Sequence, residues 1–572
     1  MLPTLNLGVV AHVDAGKTSL TEQLLFQTGA IDRLGSVDDG TTQTDGLALE
    51  RARGITIKAA LASFRVDDLV VNLIDTPGHP DFIAEVERSL SVLDAAVLVV
   101  SATAGVQAQT RVLFRALRRL DLPVIIFVNK TDIVQRPLTE VVEQIHRRLD
   151  DASPLIFGSA VTGAGVAELI GALPGLLPAG SPSDRDKLSA SVFKIERSGS
   201  STISYVRLHA GRLRVRERLP GREGRRGSKI TGIEVYDGGP PQRANVVSAG
   251  QIGRLRGPAD LRIGDAVGVP PPGRRWSFER PALETVITAE PPGDAGRLFL
   301  ALTELAAQDP LIGFRQHDDE LRVALFGEVQ KEVLTATLDT DYGLRVTFAP
   351  TSVVCLERPV GVGEAVEVLY AEDNPYLAGV GLRVEPEPVG SGERYRVAGD
   401  RRGTMPPAFF RAVEESVTEA LGRGPHGWPV RDCTVTLIAT GYAPRQSHAH
   451  ATFDKSMSST AGDFRQLTPK VLARALRAAG TVVCEPILRV RAEVPDDTVA
   501  AVLAAVVSAE GVPDAPTRHG DLVVLEMMLP ARNLGQLTRL LPGLTRGEGV
   551  LESALDHHAP APVPRRRATG RS

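Results

Sequence analysis

The chain has 572 residues, of which 43% are hydrophobic and 23% are charged, and its formal net charge is −4. This composition is that of a folded globular protein and excludes a disordered or fibrous chain, while the length requires about three to five domains. The small net charge gives no general attraction to nucleic acid, and Cys355, Cys433 and Cys484 are too widely separated for a disulfide framework or a CxxC metal site.

The first 177 residues alternate between short β-rich runs and helical patterns. The strand runs are LNLGVVA, VVNLID, AAVLVVSA, VIIFVNK and PLIFGSA, and segments such as TSLTEQLLFQT and QTRVLFRALRRL separate them. This alternation predicts a mostly parallel sheet with crossover helices, in a domain of residues 1–180.

A candidate phosphate-binding loop, AHVDAGKTS, lies between the first strand and the first helix. A strand–loop–helix arrangement aims backbone N–H groups and a helix N-terminus at phosphate oxygens. Lys17 is predicted to reach the β- and γ-phosphates, and the Thr18 hydroxyl to bind Mg²⁺. Position 11 is alanine where the usual pattern has glycine, so this loop alone leaves open a chance Gly-Lys-Thr turn. The predicted nucleotide-binding residues are Ala11, His12, Val13, Asp14, Ala15, Gly16, Lys17, Thr18 and Ser19.

The segment VVNLIDTPGH supplies the second motif. Asp75 ends a predicted strand, where its carboxylate can hold Mg²⁺ through water, and the Gly78 amide is expected near the γ-phosphate. Thr56, within RGITI, is expected to join Mg²⁺ only while the γ-phosphate is present, which would make this loop a switch. The predicted nucleotide-binding residues of the segment are Asp75, Thr76, Pro77 and Gly78.

His79, the next residue, is the predicted catalytic residue. Phosphoryl transfer has a loose transition state, so the side chain has to orient the attacking water and need not be a strong base. The alternative interpretation is a loop histidine satisfied by local hydrogen bonds.

Base selection is assigned to NKTD, which follows the VIIFV strand, and to GSA further along. The Asp132 carboxylate can accept from guanine N1–H and N2–H₂, whereas adenine offers neither donor on that edge. The stem of Lys130 can lie across the base, and amides near Ser159 can meet guanine O6. The predicted residues are Asn129, Lys130, Thr131, Asp132, Ser159 and Ala160. These motifs in this order predict an enzyme that binds GTP or GDP with Mg²⁺ and hydrolyses GTP.

Downstream of this domain the patterns change. Residues 178–187 predict a linker, and residues 188–280 predict a β-barrel with many Gly and Pro turns. Three α+β units are predicted at 281–354, 355–485 and 486–556. Residues 557–572 are rich in Pro and Arg and predict a disordered tail.

With these residues in place, the chain from Leu5 to about Leu555 resembles the translational GTPases related to elongation factor G. The resemblance implies a P-loop GTPase domain, a β-barrel and then three α+β domains, ferredoxin-like or related, of which domain IV projects toward the ribosomal decoding site. It also implies that Val13 and Ile55 form an apolar gate beside His79, which ribosomal RNA positions. The chain departs from the family by having only a short helical segment between Asp132 and Ser159, where an inserted subdomain is usual.

Within that family, residues 35–57 and 447–476 are most similar to tetracycline-resistance ribosomal protection proteins, especially the self-protection factors of antibiotic-producing actinomycetes. The resemblance implies that one loop of domain IV reaches the drug site on the small subunit. This loop comprises Ser456, Met457, Ser458, Ser459, Thr460 and Ala461. The alternative interpretation is a flexible Ser-rich turn without a partner. The Pro/Arg end also replaces a further helix that such proteins commonly carry.

The resulting prediction is a cytoplasmic, monomeric, ribosome-dependent GTPase that releases tetracycline. Its partner is the ribosome, through RNA and proteins of the decoding and factor-binding sites, and no membrane is expected. Two alternatives stay open: an elongation factor G paralogue with another translational role, and a nonhydrolysing protein that binds the ribosome in a GTP-dependent way.

Overall fold

The computed structural model describes residues 2–35, 60–76, 83–149, 153–178, 183–184, 186–198, 201–219, 227–258, 261–271, 281, 283–309, 312–317, 320–325, 329–399, 403–444 and 458–562. Within these ranges, no helix is long and apolar enough to cross a membrane.

The strands of the nucleotide domain form one sheet in the order β2-β3-β1-β4-β5-β6, in which all neighbours are parallel except β2 and β3. The central strands β1, β3, β4 and β5 are almost entirely buried, because helices cover both faces of the sheet. The strands are β1 Thr4–Ala11, β2 Ala60–Val66, β3 Leu69–Asp75, β4 Ala95–Ser101, β5 Val124–Asn129 and β6 Leu155–Phe157, and the helices are α1 Lys17–Gln27, α2 Ile83–Leu90, α3 Ala108–Arg119, α4 Leu138–Leu149 and α5 Val166–Ala172.

The second unit is made of antiparallel strands, as the sequence predicts for a barrel. One sheet has the order β11-β10-β13-β8-β7-β14, and β12 pairs with β9 beside it. The strands are β7 Ser189–Ser198, β8 Ser201–Ala210, β9 Arg212–Arg214, β10 Gly232–Val235, β11 Gln242–Ala244, β12 Val246–Ser248, β13 Ile252–Arg256 and β14 Ala266–Gly268. Phe193, Ile203, Tyr205, Tyr236 and Ile252 of this unit pack into the same apolar cluster as α3 and β4, so the unit shares a core with the nucleotide domain.

The third unit packs helices on an antiparallel sheet of order β16-β17-β15-β18, with β19 also paired to β15. Leu298, Leu302 and Leu338 supply the fully buried helical side chains of its core. The strands are β15 Leu283–Glu290, β16 Arg315–His317, β17 Glu320–Leu325, β18 Arg345–Phe348 and β19 Ser352–Val353, and the helices are α6 Ala295–Gln308 and α7 Val329–Tyr342.

The fourth and fifth units are interleaved along the chain. The fourth has the sheet β21-β22-β24-β23, and the fifth, called the terminal sheet here, has the order β20-β25-β28-β26 with β27 on β28 and β29 on β25. The fourth comprises β21 Gly363–Glu367, β22 Ala378–Pro386, β23 Glu393–Val397, α8 Pro407–Ala420, β24 Cys433–Tyr442 and α9 Ala461–Ala479, and the terminal sheet comprises β20 Leu356–Pro359, β25 Thr481–Pro495, α10 Val499–Ser508, β26 Val512–Pro513, β27 Thr517–His519, β28 Leu522–Pro530, α11 Ala531–Leu544 and β29 Val550–Pro560.

Two predicted boundaries differ from this arrangement. Strand β20 pairs with β25, and β25 begins at Thr481, so the ends of the predicted unit 355–485 lie in the terminal sheet. The predicted disordered tail was wrong for residues 557–560, because β29 pairs with β25 as far as Pro560 opposite Cys484. Beyond its first residue this strand is half-buried or exposed, which explains why no apolar alternation marks its last residues. Residues 563–572 lie outside the described residues.

Candidate functional site

The phosphate loop connects the end of β1 to the start of α1. Asp14 and Gly16 have positive φ values of 62° and 89°, and Lys17 is the first residue of the helix. A Cβ at position 16 would lie 2.3 Å from Asn129 Nδ2, so glycine is required there for two reasons, conformation and space. The helix N-terminus therefore meets the loop in the geometry that binds phosphate.

Ala11, the departure from the usual loop pattern, is explained by its place in the sheet. It is the last residue of β1, pairs in parallel with Val99, and is 1% exposed. The positive φ values of the loop occur at Asp14 and Gly16 instead. A side chain as small as alanine is therefore compatible with position 11.

Lys17 and Asp75 bring the first two motifs together. The Lys17 Nζ donates a hydrogen bond to Asp75 Oδ1, and both side chains are buried at the ends of neighbouring elements α1 and β3. Thr76 is buried beside them and its hydroxyl donates to Val9 O at 3.1 Å. Lys17, which can neutralise a phosphate, and Asp75, which can hold the water shell of a metal ion, thus lie side by side at the edge of the sheet.

The oxygens near this point suit magnesium. Thr18, half-buried in the first turn of α1, and Asp75 offer hydroxyl and carboxylate oxygens, the hard ligands that Mg²⁺ prefers. The described residues contain no group of three or more His, Cys, Asp or Glu that could hold a metal. Two protein oxygens fit a magnesium ion that takes its other ligands from phosphates and water.

Asn129 joins the phosphate loop to the base-recognition segments. Its Nδ2 donates to Ala15 O at 2.8 Å, and its Oδ1 accepts from the Ala160 N–H at 2.8 Å. The side chain is 2% exposed, so both ends of the amide are satisfied inside the protein. Asn129 therefore fixes the distance between the loop that would hold phosphates and the loop that would meet guanine O6.

The base-recognition residues surround the end of β5. Lys130 has a φ of 65°, and the Thr131 hydroxyl donates to Gly158 O at 2.9 Å, which ties this turn to the loop after β6. Ser159 is buried, whereas Asp132 is exposed. An exposed carboxylate beside a fixed turn is available to accept hydrogen bonds from a base.

His12 has a partner outside the predicted site. Its Nδ1 lies 2.9 Å from the Thr110 hydroxyl on α3, and both residues are buried. Burial, and next the charge of Lys130, lowers the pKa of His12 to about 4. The imidazole is therefore neutral at neutral pH and serves as a hydrogen-bonding group of the loop.

Thr56, Ile55, Pro77, Gly78, His79, Ser456 and Met457 lie outside the described residues. Val13, the other half of the implied gate, is 41% exposed at the phosphate loop. The roles of these residues stay predictions.

The described part of the domain IV loop forms its base. The Ser459 hydroxyl donates to Leu377 O at 2.5 Å and accepts from the Ala443 N–H at 2.7 Å. Thr460 caps α9 in a reciprocal box with Asp463, and Ala461 begins that helix. Ser458 is 5% exposed. These contacts anchor the loop to the sheet of the fourth unit.

Sequence reasoning missed the ion pairs that connect α3 to the terminal sheet. Arg111 Nε donates to Glu493 at 3.0 Å, and Arg115 donates to Glu493 and to Glu552, each at 2.5 Å. Two arginines four residues apart in the amphipathic helix QTRVLFRALRR lie on one helical face, which is the signal that could have found them. Because their partners are more than 370 residues away along the chain, the sequence does not indicate which residues they pair with.

Three family models match separate parts of the chain. Residues 2–179 match the elongation factor Tu GTP binding domain, residues 364–480 match elongation factor G, domain IV, and residues 482–567 match the elongation factor G C-terminus. A solved structure from Thermus thermophilus is 22% identical with a TM-score of 0.62, and the match covers 98% of this chain and 97% of that one. This structural likeness concerns the fold.

Curated relatives match over nearly the full length. The oxytetracycline resistance protein of Streptomyces rimosus is 40% identical, over 97% of this chain and 95% of the relative. The tetracycline resistance protein TetM of Streptomyces lividans is 42% identical, over 96% of each chain. The tetracycline resistance protein TetP of Clostridium perfringens is 34% identical, over 96% of this chain and 94% of the relative.

Proposed function

Because the chain belongs to the family of elongation-factor-G-like tetracycline resistance proteins, we propose that it is a ribosome-dependent GTPase that releases tetracycline from the ribosome. The bridge made by Asn129 between Ala15 and Ala160 is the observation that carries the nucleotide part, because it links a phosphate loop to a base-recognition loop at one sheet edge. The names of the relatives support the antibiotic part.

The phosphate end of the site holds the substrate by charge and by backbone donors. Lys17 neutralises the β- and γ-phosphates, and the amides from Asp14 to Thr18 donate to their oxygens. Thr18 and Asp75, the latter through water, would hold Mg²⁺ together with Thr56, and the ion would supply positive charge that stabilises the phosphates. His79 orients the water that attacks the γ-phosphorus.

The base end selects guanine. Asp132 accepts from the two donors of the guanine edge, and an adenine in the same place would leave this carboxylate without partners. Lys130 covers the base with its aliphatic stem, and the loop of Ser159 and Ala160, which Asn129 fixes by accepting from the Ala160 N–H, is assigned to the O6 side of the base.

The ribosomal part of the proposal concerns domain IV. The loop whose base is fixed by Ser459 and Thr460 is the segment assigned to the drug site at the decoding region, together with Ser456 and Met457. Drug release follows from binding in the GTP form, and γ-phosphate loss frees the Thr56 loop so that the protein departs. The protein acts as a monomer in the cytoplasm, where ribosomes are.

The test measures phosphate release and release of radiolabelled tetracycline from purified ribosomes. We expect the wild type to release drug with GTP and not with GDP. His79→Ala should lower phosphate release by on the order of 100-fold, because the attacking water loses its orienting group, while one round of drug release persists. Hydrolysis without drug release would favour a paralogue with another role, and equal near-zero hydrolysis for both proteins would favour a nonhydrolysing factor.

Asp132→Asn serves as the matched control for nucleotide choice. An asparagine amide donates where the carboxylate accepted, so guanine should bind on the order of 100-fold more weakly. Xanthosine triphosphate carries a carbonyl in place of the guanine 2-amino group and should restore activity to this variant. An unchanged preference for GTP would contradict the assignment of Asp132.

A further inference from the structure

The phosphate loop has a buried contact with a residue of α3 that belongs to none of the predicted nucleotide-binding motifs. His12 Nδ1 lies 2.9 Å from the hydroxyl of Thr110, the third residue of α3, and Thr110 is fully buried. The carbonyl of His12 also accepts from the Ala15 N–H at 3.3 Å, so this residue takes part in the turn of the loop. A displacement of Thr110 would leave two buried polar groups unsatisfied unless the loop followed it.

The next residue of the same helix connects to the terminal sheet. Arg111 donates through Nε to Glu493 Oε2 at 3.0 Å and through Nη2 to Glu548 O at 3.2 Å. Arg115, one turn further, donates to Glu493 and Glu552. Arg111 and Glu493 have side chains that are 3% and 7% exposed, so solvent screens this pair weakly.

Helix α3 can transmit a displacement because it is a single packed element. Leu113 and Leu117 are fully buried in the core beneath it, together with Leu98 of β4 and Ile126 of β5. Thr110 and Arg111 are consecutive residues of one turn, so neither can shift along the axis without the other. The phosphate loop and Glu493 therefore contact the same turn of one rigid helix.

We propose that Thr110 and Arg111 are positioning residues that couple nucleotide binding to docking of the terminal sheet. Docking on Glu493 holds α3, α3 holds His12, and His12 holds the phosphate loop in the conformation that binds the nucleotide. Coupling between two binding events is reciprocal, so the nucleotide must tighten the docking by the same factor. This inference rests on the proposed guanine nucleotide site.

The experiment uses the full chain without ribosomes and a fluorescent GDP derivative. We expect Thr110→Val and Glu493→Gln each to weaken binding by about 5- to 10-fold, which is the lower range of allosteric coupling. The double variant should have about the same affinity for the GDP derivative as the single variant with the lower affinity, because both changes break the same series of contacts. Thr110→Ser keeps the hydroxyl and should bind as the wild type does.

Hydrogen exchange supplies the reciprocal measurement. GDP should slow exchange of amides in β25 and β29 in the wild type and Thr110→Ser, and not in Thr110→Val. Asp497→Asn, which removes an exposed ion pair with Arg546 elsewhere on the terminal sheet, should leave the nucleotide affinity unchanged. If Thr110→Val is unfolded by circular dichroism, the cycle is run with Arg115→Gln and Glu493→Gln.

The outcomes separate this inference from the proposed function. Absence of guanine nucleotide binding by the wild type would overturn the proposed function itself. Two results would overturn the coupling alone, with the wild type binding the GDP derivative normally. In one, the losses of affinity in the two single variants multiply in the double variant; in the other, Glu493→Gln leaves the affinity unchanged. Weaker docking on addition of GDP would also overturn it, because the predicted sign is positive.

Discussion

The nucleotide domain meets the barrel and the terminal sheet through contacts of different chemistry. Toward the barrel, both sides contribute to one apolar cluster, and Asp94 accepts from Arg207 at 2.8 and 3.1 Å and from the Asn6 side chain at 2.7 Å. Asn6 also donates to Gly250 O at 3.1 Å. Arg207 is almost completely buried, which lowers its pKa first through desolvation, an effect that Asp94 partly offsets.

Toward the terminal sheet, the described contacts are dominated by ions. The apolar cluster of the terminal sheet contains no described residue of the nucleotide domain. Glu493 is buried, which opposes its ionisation, but the charges of Arg115 and Arg111 outweigh this effect and lower its pKa. Apolar burial resists separation in any salt, whereas the more exposed ion pairs of the terminal contact, Arg115 with Glu552 and Arg148 with Glu548, weaken as salt increases. These contacts indicate that the barrel stays attached to the nucleotide domain, whereas the terminal sheet can separate from it.

The largest expected effect is at the barrel contact. Asp94→Asn removes the charge that balances buried Arg207 and should lower the free energy of unfolding by about 3–5 kcal/mol. Thermal and urea unfolding, followed by circular dichroism, would measure the loss.

The control for this variant replaces both partners. Asp94→Asn combined with Arg207→Met removes the uncompensated charge and should recover most of the stability, because an apolar side chain can replace a buried ion. A fully stable Asp94→Asn single variant would show that the apolar cluster alone attaches the barrel.

An intermediate effect is expected from salt. Raising the ionic strength from about 0.1 M to about 1 M shortens the Debye length from about 10 Å to about 3 Å and should speed amide exchange in β25, β29 and the exposed side of α3 by several-fold. Amides of β8, at the barrel contact, should change little. Equal acceleration in both places would contradict the proposed difference between the contacts.

Acidification should weaken the contact between Glu493 and α3. The sign follows from the lowered pKa of Glu493: its contribution to docking is present above the unfolded pKa and is lost as the pH falls through the folded value. Protection of β25 should therefore decrease at acidic pH, and less so in Glu493→Gln, which has lost the titrating group.

The local motifs of the site could be predicted because each lies within a short stretch of sequence. The phosphate loop, Asp75 and the Asn129 segment follow strands whose apolar runs are visible, and parallel strands bring their ends to one edge. The order of the family's domains followed from the resemblance. The alanine at position 11 was an apparent defect in the pattern, and the structure explains it by the end of β1.

The contacts between distant residues could not be predicted. Nothing in the sequence indicates that Thr110 meets His12 or that Glu493 meets Arg111, because each pairing depends on the packing of whole elements. Strand β29 was missed at its end because residues such as exposed His557 and half-buried His558 pair through the backbone, which leaves no side-chain pattern. Backbone pairing and long-range ion pairs are properties of the assembled fold.

The smallest effect is expected at the rim of the terminal contact. Arg148 lies 3.3 Å from Asp521 and 3.2 Å from Glu548, whose side chains are 38% and 49% exposed. Asp521→Asn should therefore change stability by less than about 1 kcal/mol, because water and salt already screen the pair and Glu548 still accepts from the same guanidinium.

Hydrogen exchange of β25 at low salt would compare Asp521→Asn with Glu493→Gln, and the second variant should show the faster exchange. The reason is burial: Glu493→Gln removes the charge that faces two arginines of α3 in a region that solvent hardly reaches, whereas the exposed Asp521 shares a single arginine with Glu548. Equal exchange in the two variants would mean that attachment of the terminal sheet is spread over its rim. The contact of Glu493 with α3 would then have no special part in holding it.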